Sequence, residues 1–135
     1  MARWLPRLVG FALVAIHGYL ALWATVGLIE WFTDTVPWPR VSNPLFTAQI
    51  LMMHWLLIGF AGYGFLAAWF ARWRYTPELV ALAYLGLATG CAIETFGYLV
   101  HDTKFVDMAL EYATYVAILV LLYRAPFMRR RFGRT

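Results

Sequence analysis

Four long apolar stretches, separated by short polar or proline-containing segments, constrain this chain more than any other feature of its sequence. Crossing the hydrocarbon core of a bilayer takes about 20 helical residues, and each stretch is close to that length or longer. The stretches predict transmembrane helices at roughly 8–31, 45–70, 78–100 and 106–123. We therefore expect one all-α integral membrane domain that covers residues 1–135 and folds as a four-transmembrane-helix bundle.

The composition supports a membrane protein and excludes several functional classes. Hydrophobic residues make up 63% of the chain and charged residues 13%, whereas soluble domains have about half and about a quarter. The single cysteine, Cys91, excludes an intramolecular disulfide and a paired-cysteine redox or zinc motif. Ser42 is the only serine, and the sequence has no glycine-rich phosphate-binding loop with lysine. We therefore expect neither proteolytic nor nucleotide-driven activity.

Basic residues are concentrated on one side of the predicted helices. Of the eleven Lys and Arg residues all but Arg40 and Lys104 fall on that side, and of the seven Asp and Glu residues only Glu78 does. The positive-inside rule then predicts that both termini are cytoplasmic, in what we expect to be a bacterial inner membrane. This placement favours the lipid bilayer, not nucleic acid, as a partner. The residues on the basic side are Arg3, Arg7, Arg72, Arg74, Arg124, Arg129, Arg130, Arg131 and Arg134.

The segments between the predicted helices carry local signals of their own. Residues 34–44 are rich in proline, which disfavours a helix in lipid. In the turn between the second and third predicted helices, Thr76 is the predicted N-cap of the third helix, and Pro77 is at its first helical position. Residues 124–126, which end in proline, are predicted to end the last helix.

Four ionisable side chains are predicted to lie inside the hydrocarbon, where each is costly unless it is paired or hydrated. His54, Glu94 and Glu111 come out at about 5–8 Å beyond the midplane on the non-cytoplasmic side, counted by the helical rise. His17 lies nearer the midplane. Because three helices place an ionisable group at nearly one level, we expect His54, Glu94 and Glu111 to form a polar pocket. The predicted second-tier members of this pocket are His17, Tyr98, Tyr115 and His101.

The predicted pocket has two main interpretations. Two carboxylic acids and a histidine in a low dielectric suit binding of, and acid/base chemistry on, an amphiphilic or isoprenoid-like ligand. Whether any reaction is catalysed stays open. Alternatively, the same groups hydrogen-bond one another and fix helix packing, in an accessory or structural subunit of a larger membrane complex or in a homo-oligomer.

Four residues carry a likeness to a known group of membrane proteins: Trp73 and Arg74 in the turn between the second and third predicted helices, and Arg124 and Pro126 after the last helix. With these residues and its architecture, the chain is similar in kind to the emopamil-binding and sigma-2-receptor group, four- or five-helix proteins with intramembrane acidic residues and a histidine. The likeness is one of general arrangement and assigns no family.

Two cofactor alternatives also stay open. A b-type haem would need His17 and His54 as axial ligands, although their estimated depths differ by about 8 Å. A metal ion would take His54, Glu94 and Glu111 as ligands, a set that suits iron, manganese or zinc. The spacing of these residues matches no recognised metal motif, so the sequence leaves the cofactor content unknown.

Overall fold

The computed structural model of the chain describes residues 4–33 and 36–133, and within them every regular element is helical. Four helices in this part of the chain are long and apolar enough to cross a membrane, which confirms the predicted all-α class. Arg3, Arg134 and the first two residues of the predicted 34–44 segment lie outside the described residues. The helices are α1 (Leu5–Thr33), α2 (Ala48–Phe70), α3 (Thr76–Gly97), α4 (Lys104–Arg124) and α5 (Pro126–Arg131).

Helices α1 and α2 do not begin at the first residues of the predicted apolar stretches. The residues at their N-termini determine where they begin. Helix α1 starts at Leu5, before the predicted residue 8, because Pro6 fits the first turn of a helix, where its missing N–H is not needed. Helix α2 starts at Ala48, after the predicted residue 45, because Thr47 is its N-cap. The Thr47 hydroxyl accepts a hydrogen bond from the Ile50 N–H at 3.4 Å.

The turn between α2 and α3 differs from its prediction at Thr76. This residue is the first of α3 rather than its N-cap, a position that Tyr75 takes. The Thr76 hydroxyl instead donates to the carbonyl oxygen of Trp73 at 2.5 Å. Pro77 lies in the first turn of the helix. Arg72 has a φ of 51°, the left-handed conformation that often terminates a helix, and so turns the chain out of α2.

The link between α3 and α4 lies earlier in the chain than the prediction. Helix α3 ends at Gly97 rather than residue 100, and α4 begins at Lys104 rather than residue 106. The Lys104 ammonium donates to the carbonyl oxygen of Leu99 at 2.8 Å. It therefore satisfies an acceptor just beyond the end of α3, where the helix leaves carbonyl groups without intrahelical partners.

The short helix α5 has no counterpart among the predicted helices. Helix α4 ends at Arg124, and Ala125 is extended, with a ψ of 124°, so the chain changes direction before Pro126. Helix α5 then packs against the end of α2, where Met128 and Phe132 are buried. The Phe132 ring lies edge-on to Trp69, with the ring centroids 5.8 Å apart.

The long helices pack in chain order, α1 against α2, α2 against α3 and α3 against α4. The backbones of α1 and α2 approach closely at Gly62, which lies against the backbone of Ala21. The aromatic side chains of Trp55 and Phe65 fill the space between the helices and are buried. Many other large apolar side chains are exposed on the outer surface, as suits a protein surrounded by lipid.

A buried carboxylate fixes the segment between α1 and α2. Glu30, near the end of α1, is 4% exposed. Its two carboxylate oxygens accept hydrogen bonds from the backbone N–H groups of Val41, at 2.8 Å, and Ser42, at 3.3 Å. Because burying an unpartnered carboxylate is costly, this pairing explains how an acidic residue is accommodated there. Glu30 is therefore structural in this fold.

Candidate functional site

A histidine–carboxylate pair links α2 to α3. The Nδ1 atom of His54 lies 2.7 Å from an Oε atom of Glu94, and both side chains are partly buried, at 24% and 12% exposure. Two aromatic rings hold the imidazole edge-on: Phe46 at a centroid distance of 5.7 Å and Trp55 at 4.7 Å. Since the imidazole can be neutral or protonated, this pair can hold an exchangeable proton at a defined place.

A second polar group belongs to α4. The Tyr115 hydroxyl donates a hydrogen bond to the Glu111 carboxylate, one helical turn earlier. The Tyr115 ring stacks on Tyr84 of α3 at a centroid distance of 4.5 Å. The Cys91 thiol of α3 also lies against Glu111. These contacts keep the Glu111 carboxylate on the side of α4 that faces α3.

One cavity brings the two polar groups together. It has a volume of about 360 Å³ and is lined by residues of α1, α2, α3 and α4. His54, Glu94 and Glu111, the three predicted core residues, all line it, and so does Tyr115. The rest of its wall is mainly apolar and aromatic, and includes Tyr19 and Trp23 of α1, Leu57 and Ile58 of α2, and Thr114 and Ile118 of α4.

His17 lies behind the cavity wall and not in it. Its side chain is fully buried, with Nδ1 positioned to donate to the Leu13 carbonyl oxygen at 2.7 Å. Its Nε2 then accepts from the Tyr84 hydroxyl at 2.9 Å, and its ring stacks on Phe65 at 3.7 Å. Because these hydrogen bonds engage both ring nitrogens, His17 offers no free nitrogen to iron. Haem ligation between His17 and His54 does not fit this arrangement.

Two other predicted members of the pocket lie elsewhere among the described residues. Tyr98 follows the end of α3 and packs edge-on against Phe46, with the centroids 5.8 Å apart. His101 is exposed in the link to α4, where its Nδ1 lies 3.2 Å from the Thr103 hydroxyl and 3.7 Å from an Asp107 carboxylate oxygen. Tyr98 therefore supports the pair only indirectly, through Phe46. The described partners of His101, Thr103 and Asp107, are not among the residues that line the cavity.

The ligand set predicted for a metal ion is not assembled as a metal site. Within residues 4–33 and 36–133, the structure has no group of three or more His, Cys, Asp or Glu side chains that could hold a metal ion. His54 and Glu94 contact each other, while Glu111 contacts Tyr115 and Cys91 instead. The polar groups of the cavity are thus arranged as two hydrogen-bonded pairs.

Tyr84 and Leu87 contribute to the cavity although the sequence analysis did not select them. They lie on the same face of α3 as Cys91 and Glu94, because the spacing from 84 to 87, 91 and 94 follows the helical repeat of three and four residues. All of them line the cavity. Repeating the three- and four-residue spacing from Glu94 and Cys91 towards the N-terminus of α3 reaches both residues. The residues Tyr19 and Trp23 of α1 carry no such signal.

No protein-family model, curated protein or solved structure matches this chain. The cavity itself is therefore the basis on which a function is proposed. Its size is in the range of known small-molecule sites, which hold about 300–1,000 Å³ and combine apolar walls with a few placed polar groups. In this cavity the placed polar groups are the His54–Glu94 pair and the Glu111–Tyr115 pair.

Proposed function

We propose that this protein is a membrane protein whose cavity binds an amphiphilic or isoprenoid-like molecule. The observation that carries the proposal is that one cavity joins an apolar, aromatic wall to the His54–Glu94 pair. A polar head, such as a hydroxyl or an amine, would hydrogen-bond to this pair. The apolar part of the molecule would lie against Trp23, Leu57 and Ile118.

The cavity reaches a surface that lipid would cover. Two of its lining residues on α1, Ile16 and Tyr19, are 42% and 60% exposed. Thr114, on the α4 side of the cavity, is exposed as well. We therefore expect a ligand to enter from the bilayer, between α1 and α4, without crossing water. This route selects molecules that already partition into membranes.

Acid/base chemistry on the bound molecule is the second part of the proposal. General acid/base catalysis needs a proton donor or acceptor within hydrogen-bonding reach of the reacting group. The His54–Glu94 pair can hold or release one proton, and the Glu111–Tyr115 pair lines the same cavity. A ligand bound between them would contact a donor on one side and an acceptor on the other.

The proposed orientation places the basic end of the helices in the cytoplasm. The start of α1, the turn from α2 to α3 and the segment after α4 carry most of the basic residues, whereas Arg40 and Lys104 lie at the opposite end. The positive-inside rule supports an orientation with both termini cytoplasmic, in a bacterial inner membrane. The His54–Glu94 pair would then lie in the outer half of the bilayer.

The substitution Glu94→Gln tests the binding function. Glutamine keeps the size of the side chain but cannot accept or release the proton that the pair shares, so bound ligand should fall at least about tenfold, as expected for loss of a charged hydrogen-bond partner. Mass spectrometry of organic extracts from the purified protein measures this ligand. The control is Gln49→Glu at the exposed start of α2, which makes the reverse exchange of glutamine and glutamate outside the cavity.

The proposal fails if extracts of the wild type and of Glu94→Gln contain the same bound lipids in the same amounts. A lower melting temperature for Glu94→Gln, with no ligand in either protein, would support a purely structural role for the pair. The melting temperature in detergent therefore has to be measured on the same samples.

A second candidate function, an accessory subunit of a larger membrane complex, is favoured by α4. Along this helix, which the structure describes throughout, the buried residues are Ile118 and Leu122. Most of its apolar surface would therefore contact lipid or another chain. Cross-linking in native membranes distinguishes the two candidate functions. An accessory subunit should give a defined cross-linked product with a partner through α4. A binding protein that acts alone should give none.

A further inference from the structure

A second cavity lies at the basic end of the helices, far along the bundle from the His54–Glu94 pair. This basic-end crevice has a volume of about 460 Å³ and is formed by the start of α1, the end of α2 and helix α5. Its lining combines two arginines with apolar side chains. Those that matter here are Arg7, Phe11, Val14, Phe70, Phe127 and Arg131.

Arg131 is held in place by the end of α2. Its guanidinium lies over the Trp69 ring, 3.9 Å from the centroid, and its Nη2 donates to the Trp69 carbonyl oxygen at 3.2 Å. Its Nε–H is buried, and no acceptor in the described part of the chain pairs with it. A guanidinium whose position is already fixed loses little conformational entropy on binding an anion.

The charge of Arg131 is not balanced by a carboxylate in the part of the chain that the structure describes. Among the described residues, neither Arg7 nor Arg131 forms an ion pair with a carboxylate. Burial, and to a smaller extent the like charge of Arg72, lowers the pKa of the Arg131 guanidinium. The group is still protonated at neutral pH. An anion in the crevice would therefore relieve a repulsion that the protein alone leaves in place.

The apolar side of the crevice continues onto the outer surface of the helices. Phe11 and Phe70 are 74% and 70% exposed, and both line the crevice next to the arginines. A small inorganic anion would leave these rings uncovered. A molecule with a phosphate and an acyl chain would cover them, because the chain could run along α1 and α2 in the direction of the bilayer interior.

We infer that the basic-end crevice is a binding site for one anionic phospholipid. Its phosphate would lie between Arg7 and Arg131, whose planar guanidinium groups match the geometry of phosphate oxygens. One acyl chain would lie against Phe11, Val14 and Phe70. This site is separate from the cavity proposed to bind an amphiphilic ligand, and its lipid would help to dock α5 on the end of α2.

Native mass spectrometry after delipidation tests this inference. The wild-type protein is titrated with dioleoylphosphatidylglycerol or with dioleoylphosphatidylcholine, and the retained molecules are counted. We expect one tightly retained phosphatidylglycerol. Arg7→Gln should weaken its retention about tenfold, because a charge-assisted hydrogen bond to phosphate is lost. Arg131→Lys, which keeps the charge but not the fork of donors, should also weaken it.

The control is Arg130→Gln, which makes the same charge change as Arg7→Gln at an exposed position of α5. It should leave retention within about twofold of the wild type, because Arg130, unlike Arg7, is not among the residues that line the crevice. Equal losses for Arg130→Gln and Arg7→Gln would overturn the site in favour of general attraction by the basic tail.

Equal retention of phosphatidylcholine and phosphatidylglycerol by the wild type would also overturn the site. Full displacement by inorganic phosphate at the same concentration would overturn the lipid assignment. The Arg7 side chain is exposed, and its described partner is the Trp4 ring, 5.8 Å from the guanidinium carbon. The Arg7→Gln variant therefore remains informative if Arg131→Lys does not fold.

Discussion

The two histidines inside the helical bundle differ in what surrounds their ring nitrogens. His17 has a hydrogen-bond partner on each nitrogen and a stacked ring on one face, and it is fully buried. His54 hydrogen-bonds to Glu94 and lines a cavity. The first environment suits a residue that fixes packing, and the second suits a residue that meets a ligand. Sequence position alone cannot distinguish them, because both lie in long apolar stretches.

The structural role of His17 predicts the effect of Tyr84→Phe. This change removes the hydroxyl that donates to the His17 Nε2 and leaves that buried atom without a partner. We expect destabilisation of about 1 kcal/mol, in the range measured for interhelical hydrogen bonds in membrane proteins. Unfolding in mixed detergent micelles measures it. Tyr19→Phe is the control, because the Tyr19 side chain is 60% exposed and should contribute little. Equal stability of Tyr84→Phe and the wild type would contradict this role for His17.

At the scale of the helices, the packing of α1 on α2 depends on small residues. A Cβ atom at Gly62 would overlap the backbone of Ala21 and lie 2.9 Å from the carbonyl oxygen of His17. A Cβ at Gly27 would overlap the Trp55 indole. Glycine at these two positions lets the helices approach closely enough to bury Trp55 and to place His17 against Phe65. Gly86 and Gly90 of α3 lie against the end of the Leu57 side chain of α2, which is flexible and can move more easily than backbone.

Gly62→Ala should therefore separate α1 from α2. We expect a loss of about 1–3 kcal/mol of unfolding free energy, the usual range for overpacking, because the obstruction is backbone and cannot move aside. Gly18→Ala in α1 is the matched control, since a Cβ there has nothing within 4 Å, and it should be neutral or stabilising by up to about 1 kcal/mol. Thermal unfolding of both variants compares them directly. If both changes have the same effect, the close approach of α1 and α2 does not limit stability.

The helices themselves were largely predictable, because an apolar run of about 20 residues has few alternatives in a chain this hydrophobic. The residues at which the helices begin and end were less predictable. Thr47 and Thr76 look alike in the sequence, yet only Thr47 caps a helix with its side chain, while the Thr76 hydroxyl donates to Trp73. Helix α5 could not be predicted from its own residues. It is short and rich in arginine, and it depends on Trp69, which is distant in sequence, to bury Phe132.

At the scale of the whole molecule, the cavity follows from the order in which the helices pack. Depth along each helix predicted that His54, Glu94 and Glu111 share a level, and the structure places all three on one cavity. The rotation of each helix about its axis determines which of the other predicted residues face the cavity. His17 faces Phe65 and Tyr84 rather than the cavity. His101 lies beyond the end of α3 in an exposed link, so no rotation could bring it to the cavity.

The distribution of charge over the whole molecule predicts the orientation of the chain. A reporter fused after α5 should behave as cytoplasmic: a green fluorescent protein fusion should fluoresce, and an alkaline phosphatase fusion should be inactive. In the control, each reporter is inserted directly before Arg40, on the opposite side of the membrane. There the green fluorescent protein should not fluoresce and the alkaline phosphatase should be active. The physical reason is the cost of moving the arginines of α5 and its flanks across the bilayer. An active phosphatase at the C-terminus would contradict the proposed orientation.

Photolabelling with a diazirine-bearing isoprenoid alcohol tests whether the cavity holds an amphiphilic molecule. We expect cross-links at cavity residues such as Tyr19 and Thr114, which excess unlabelled alcohol should remove. Thr114→Trp, which would fill the cavity from α4, should abolish the cross-links, whereas Val116→Trp on the exposed side of α4 should not. Labelling that is spread over outward-facing residues such as Leu22, and that Thr114→Trp leaves unchanged, would show that the probe contacts the protein only as bulk lipid does. The cavity would then not be the binding site.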